Sequence, residues 1–339
     1  TRFYHPSLPT APAHGAPAMW IIMVRVNRYD DIRPDVAALL KEQDGKLPRP
    51  DPAARSADGL GPLGRAASLA RLYALGALVK SGLHRRFLYA NLRLDWFFEF
   101  QDYWMRELGN RPIQPHDFYY LLGVYRQRLQ TIHFEHLQNP ELASDDKHLE
   151  AWRDRRIVYY LFAHTYRQAL SPLRVHRFTR WIPRRGRVAE YGCGLAPILA
   201  ALARWYRHLD LQLVGADVPH LLFHYTRWRF RNAPFVTMAP VLPDDDAPLP
   251  GAYDTIFCLE VLEHLPRPIP VLEHLHRVLK PGGHLVFDYI RSEAIGLDTL
   301  SSLRDRLPAI RFILDHFEVV EGQVTADGAH IEPAVVRKR

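Results

Sequence analysis

The chain has little cysteine: Cys193 and Cys258 are the only two in 339 residues. Both fall within expected α/β elements, so no disulfide framework is visible and a reducing compartment is the natural setting. It also lacks any run near the ~20 apolar residues that a membrane-crossing helix needs. The segment Ala18-Met-Trp-Ile-Ile-Met-Val24 is too short to span and lacks signal-peptide flanks. Long Lys/Arg blocks, RGG repeats and zinc-knuckle spacings are missing too, and there is no internal repeat. The formal net charge is +7, but the arginines are spread along the chain. Such a balance reads as solvated surface rather than a nucleic-acid groove. The expectation is a cytoplasmic protein without a membrane or nucleic-acid partner, and its oligomeric state stays open.

What is present divides into three parts. Residues 1–60 hold a concentration of the 27 prolines. They predict one short helix near Pro34–Gln43 in an otherwise extended, partly mobile segment. Residues 61–181 show apolar spacings of three and four, broken at Gly109-Asn110, Pro112, Pro115, Asn139-Pro140 and Pro172. This predicts a helical cap of four or five helices. From residue 182 onward strand and helix patterns alternate. Strands are expected at 187–191, 211–216, 234–238, 253–258, 283–290, 316–321 and 330–336. Helices are expected at 196–208, 219–231, 268–279 and 297–307. The last two strands are separated only by the turn Thr325-Ala-Asp-Gly328, an antiparallel hairpin signal.

The run Arg187-Val-Ala-Glu-Tyr-Gly-Cys-Gly-Leu-Ala196 carries the most information. A buried strand ends in a carboxylate and turns through Gly192 and Gly194 into a helix. A bulky ligand can approach a backbone closely where side chains are missing, so the turn suits a cofactor cradle. Twenty-seven residues after Glu190, Asp217 ends a second apolar strand. A carboxylate there can accept hydrogen bonds from ribose hydroxyls, or it can cap the helix starting near Pro219. Further on come Asp244-Asp-Asp246, the strand end Cys258-Leu-Glu260 with Glu260-Val-Leu-Glu-His264, and Lys280-Pro-Gly-Gly283. The last is structural, ending a helix and starting a central strand.

In order and spacing these elements resemble the class I S-adenosylmethionine-dependent methyltransferases, over about residues 180–339. Ala196 departs from the resemblance, since many members carry a third glycine there. The resemblance implies an α/β fold: a Rossmann-like seven-stranded sheet with a C-terminal antiparallel hairpin, here preceded by the all-helical cap. It implies S-adenosyl-L-methionine as cofactor, with Glu190, Gly192, Cys193 and Gly194 beside its methionine part. Asp217 would hold the ribose and Asp246 the adenine amino group, with Asp244 and Asp245 one register slip away. Leu259 and Glu260 would pass the methionyl amine.

Some members that methylate a hydroxyl use a similar Glu-x-x-Glu-His as metal ligands. On a helix, Glu260, Glu263 and His264 would share one face. Metal-free members carry nearly the same letters, and the expectation here is no metal. His264 is then the first candidate for a general base. The aromatic residues of Asp95–Trp104 read mainly as helix packing. Tyr159 and Tyr166, with Tyr160 and Arg167, are the candidates for facing the cofactor, because their helix leads into the cradle and tyrosine ring faces stabilise a sulfonium. The leading expectation is methyl transfer to an oxygen or nitrogen of a small biosynthetic molecule. Three alternatives stay open: a cyclase of the azetidine-2-carboxylate-forming type that releases methylthioadenosine, an RNA 2′-O-methyltransferase, and a non-catalytic cofactor-binding protein.

Overall fold

The computed structural model describes residues 95–110, 112, 161, 164–165, 175–242, 245, 247–291, 298–329 and 331–339. Residues 1–60, with the expected helix at 34–43, and most of the expected cap lie outside the described residues. Within the cap region, α1 (Asp95–Asp102) continues into a π-helical turn, Tyr103–Glu107.

The strands are β1 (Arg187–Tyr191), β2 (Gln212–Asp217), β3 (Val236–Pro240), β4 (Tyr253–Cys258), β5 (Leu279–Tyr289), β6 (Phe317–Glu321) and β7 (Ile331–Lys338). They form one sheet in the order β3-β2-β1-β4-β5-β7-β6. The first five run parallel, and β7 pairs antiparallel with both β5 and β6. This is the expected Rossmann-like sheet with its closing hairpin. The helices are α2 (Pro197–Trp205), α3 (Leu221–Arg229), α4 (Pro268–Val278), α5 (Leu300–Arg304) and α6 (Arg306–His316).

The central strands are apolar without a break because both faces are covered. Their period of two divides the core. Ala189, Val214, Ile256, Leu285 and Val336 face one way, against Leu272 of α4 and Ile310 of α6. The next residue or the one before, Val188, Leu213, Phe257, Val286 and Val335, faces the other way, against Leu199 and Leu202 of α2 and Phe223 of α3. The segment entering β1 is tied to the far edge of the sheet. Glu321 of β6 accepts from Arg177 Nε at 2.7 Å, Arg180 Nη2 at 2.6 Å and Trp181 Nε1 at 2.8 Å.

Two expectations are corrected. The single helix at 297–307 is instead the short α5 followed by α6, which runs on to His316. Pro308 breaks the sequence pattern, yet it lies in the first turn of α6, where a missing N–H costs nothing. In Lys280-Pro-Gly-Gly283 the left-handed glycine is Gly282 (φ 72°), inside the irregular start of β5 rather than at the end of α4. There Asp254 accepts from both Arg187 N (2.8 Å) and Lys280 Nζ (2.7 Å), holding that turn to the start of β1.

Candidate cofactor site at the strand ends

In an open parallel sheet, ligands bind outside the carboxyl ends of the strands. The glycine run lies there, at the end of β1. Three residues in it take positive φ: Gly192 (66°), Gly194 (50°) and Ala196 (48°). A Cβ on Gly192 would stand 2.3 Å from Val261 Cγ2, so the chain must be bare there to pass the β4 loop. A Cβ on Gly194 would meet Leu222 Cδ1 of α3 at 3.9 Å, an ordinary contact, with nothing nearer among the described residues. Ala196, just before α2, adopts the left-handed conformation although it carries a side chain.

The loop is held by bonds from several sides. Cys193 N donates to Ala216 O at 3.1 Å. Gly194 N donates to Asp217 Oδ2 at 2.5 Å, while Asp217 Oδ1 accepts from Val218 N at 2.7 Å. Thr226 Oγ1 donates to Gly194 O at 2.7 Å. Each carboxylate oxygen has two acceptor sites, so Asp217 retains capacity for further donors. The alternative role for Asp217, capping α3, falls to His220, whose Nδ1 accepts from Phe223 N at 3.0 Å.

Glu190 is 6% exposed, and its carboxylate accepts from Leu199 N (2.9 Å) and Ile198 N (3.3 Å), the first turn of α2. Burial pushes its pKa up to about 8, while those two amides draw it down. Burial also pushes the thiols of Cys193 and Cys258 well above their ordinary range, so neither is a ready nucleophile.

At the β4 end, Leu259 is half-buried and Glu260 is exposed with φ of 57°. Glu260 N donates to Asp288 Oδ1 at 2.6 Å, which secures this strained residue to the end of β5. Asp288 was not singled out from the sequence; a lone acid in the apolar run of β5 is the signal that marks it. Leu262–His264 forms a 3-10 turn, not an α-helix, so the shared face of Glu260, Glu263 and His264 does not form. Among the described residues no group of three His, Cys, Asp or Glu side chains is placed to hold a metal ion.

Glu263 is 2% exposed and its Oε2 has no hydrogen-bond partner among the described residues; its Oε1 stands 3.9 Å from His264 Nε2. Burial, with Asp298 and Glu260 nearby, raises Glu263 to about 8. Burial raises Asp288 to about 8 as well, against the pull of the Glu260 amide, with Glu263 adding repulsion. His264 itself is half-buried.

The strand ends therefore gather Glu190, Gly192, Cys193, Gly194, Asp217, Leu259, Glu260 and His264 along three adjacent strands. Tyr159, Tyr166 and Asp246 lie outside the described residues, as do Tyr160, Arg167 and Asp244. A cleft of about 510 Å³ lies elsewhere, lined by Arg227, Phe230, Arg231, Pro234, Val236 and Met238. It sits by the start of β3, at the opposite edge of the sheet, and holds none of the candidate residues.

Residues 162–322 match a family described as a methyltransferase domain. The ubiquinone biosynthesis O-methyltransferase of Xylella fastidiosa is 31% identical over 120 residues, covering 34% of this chain and 47% of that protein. Its counterpart in Pseudomonas aeruginosa is 29% identical over 128 residues, covering 36% of this chain and 52% of that protein. The chain thus spans about half the length of the curated relatives it matches. Among solved structures, the glycopeptide N-methyltransferase MtfA complexed with (S)-adenosyl-L-methionine is 15% identical, with a TM-score of 0.35, covering 49% of this chain and 92% of that one.

Proposed function

We propose, starting from the match of residues 162–322 to a methyltransferase domain, that this protein is an S-adenosylmethionine-dependent methyltransferase that methylates an oxygen or nitrogen of a small biosynthetic molecule. The observation that carries the reading is the pairing of the left-handed glycine turn at the end of β1, tied through Gly194 N, with the buried Asp217 carboxylate that still has acceptor sites. A ribose offers hydroxyl donors to such a carboxylate, and a bare backbone lets a nucleoside lie close to it. The residues present fit the cofactor.

Asp217 would hold the ribose hydroxyls, and the backbone of Leu259 and Glu260 would border the methionyl amine. Asp246, by its place in the sequence, would meet the adenine. Glu190 secures the first turn of α2 and so fixes the direction in which the loop leaves β1. When bound, the cofactor supplies an already activated methyl group. The chain's own task is to align an acceptor and exclude water. His264 is the candidate to take the acceptor's proton, with the carboxyl of Glu263 at its side. Tyr159 and Tyr166 are proposed to border the reacting groups from the cap.

Purified protein titrated with S-adenosylhomocysteine should give heat. With methyl-labelled cofactor and a panel of phenols, catechols and amines it should yield a labelled small molecule. Cofactor binding accompanied by label only in RNA or protein would overturn the small-molecule reading. No heat at all would overturn the cradle itself.

A further inference from the structure

We infer that the segment α1 and its π turn (Asp95–Glu107), far upstream of the glycine run in sequence, is coupled to the cofactor site through a Glu99–Arg229 clamp. This rests on the reading of the Gly192–Ala196 turn as the cofactor cradle.

The Glu99 carboxylate meets the Arg229 guanidinium in a fork, Oε1 to Nε and Oε2 to Nη2, both 2.9 Å. The arginine side chain is only 11% exposed. Its third nitrogen, Nη1, donates to Leu195 O at 3.3 Å, the residue after Gly194. One turn earlier on α3, Thr226 Oγ1 holds Gly194 O. Two successive carbonyls of the cradle are therefore fixed by side chains of one helix.

The position of that helix is in turn set by the upstream segment. Tyr103 packs edge-on to Tyr225 (ring centres 4.7 Å) and to Trp228 (5.3 Å). Tyr103 Oη and His224 Nδ1 share a hydrogen bond of 2.8 Å. Phe100, Tyr103 and Trp104 are fully buried. A planar guanidinium that grips a carboxylate with two nitrogens has one orientation, so the third can reach Leu195 O only while Glu99 is in place. Without that carboxylate, Arg229 would be a buried charge with only the weaker, unbonded influence of Glu190 to offset it, and would swing toward water. Glu99 and Arg229 are thus positioning residues.

Thermodynamic coupling is reciprocal, so a segment that orders the cradle must itself be ordered further when the cradle is filled. A merely structural contact would not respond in this way. The test is amide hydrogen exchange over residues 95–107 of the full chain, with and without S-adenosylhomocysteine, alongside calorimetry of wild type and Glu99→Gln. Slower exchange in that segment on ligand addition is expected, as is a loss of affinity of about 5-fold or more in the variant, the lower end of ordinary coupling. Heat on titration with unchanged exchange at 95–107 would sink the coupling, and it does so from wild type alone if the variant fails to fold. An affinity in a folded Glu99→Gln equal to wild type would sink it as well. No heat with wild type would instead mark the failure of the cradle reading.

Discussion

Replacing the two cradle glycines by alanine should separate stability from ligand binding. At Gly192 the added methyl would lie 2.3, 2.9 and 3.2 Å from Val261 Cγ2, Cγ1 and Cβ. Val261 is buried and β-branched, so it has few rotamers in which to move aside. Overpacking of this kind costs about 1–3 kcal/mol, and a left-handed backbone with a side chain costs a further ~1–2 kcal/mol. Gly192→Ala should therefore lose about 2–5 kcal/mol in urea unfolding. Val261→Ala in the same chain should return the steric part and leave the backbone part, so the two substitutions should combine with clear non-additivity. At Gly194 the nearest atom among the described residues is Leu222 Cδ1 at 3.9 Å, an ordinary contact, so Gly194→Ala should lose only the ~1–2 kcal/mol of its left-handed backbone. The cradle reading lays the ligand against this backbone, so affinity for S-adenosylhomocysteine should fall by about 10-fold or more, close to 1.4 kcal/mol. Equal unfolding midpoints for Gly192→Ala and wild type would refute the packing argument. Undiminished affinity in Gly194→Ala would refute the placement of the ligand.

Three other outcomes follow from the same geometry. If His264 is the general base, His264→Gln should lower kcat by about 10²–10⁴-fold while leaving cofactor affinity near wild type, as single-turnover kinetics and calorimetry will show. For Glu263, burial lifts the folded-state pKa from 4.5 to about 8, so between those values the native protein keeps a proton that the unfolded chain releases. This contribution makes the wild type lose stability as pH rises through that window. Glu263→Gln should therefore melt close to wild type near pH 4.5 and progressively above it toward pH 8; a constant difference across the window would count against the burial argument. Arg306, 5% exposed, donates to the carbonyls of Tyr289, Ile290, Gly328 and Ala329. Arg306→Leu leaves these acceptors without their donor and should cost about 3–5 kcal/mol in thermal or urea unfolding.

Both glycine substitutions bear on how the loop came to hold a left-handed alanine. Ala196 has the conformation of its glycine neighbours without their freedom, yet it is fully buried and its N donates to Cys193 O. Surrounding structure thus over-determines a backbone that the residue would not choose alone. Glu260 at the end of β4 is the same case, with the Asp288 carboxylate holding its amide. Two strained non-glycine residues follow the ends of the neighbouring strands β1 and β4, and the bonds that hold each come from a different strand or from its own tight turn.

Much of this was legible in the order of residues. A period of two with both faces apolar, interrupted by helix patterns, specifies a covered parallel sheet, because a strand buried on both sides has no polar face to show. The glycine turn and Asp217 were legible for a local reason: a tight turn at a strand end admits few residue types. The extent of α6 was hidden, because a proline in the first turn reads like a break. The helical face expected for Glu260, Glu263 and His264 failed because three residues of 3-10 turn follow a left-handed bend, and spacing carries no record of either. Asp288 beside Glu260, and Glu99 forked to Arg229 across 130 positions, were beyond any local pattern. The amino-acid order alone determined which segments are strands, where the chain is bare and where an acid ends a strand. Only the tertiary structure decided which distant side chains hold that bare segment still, since contacts between elements depend on how the layers pack and not on spacing along the chain.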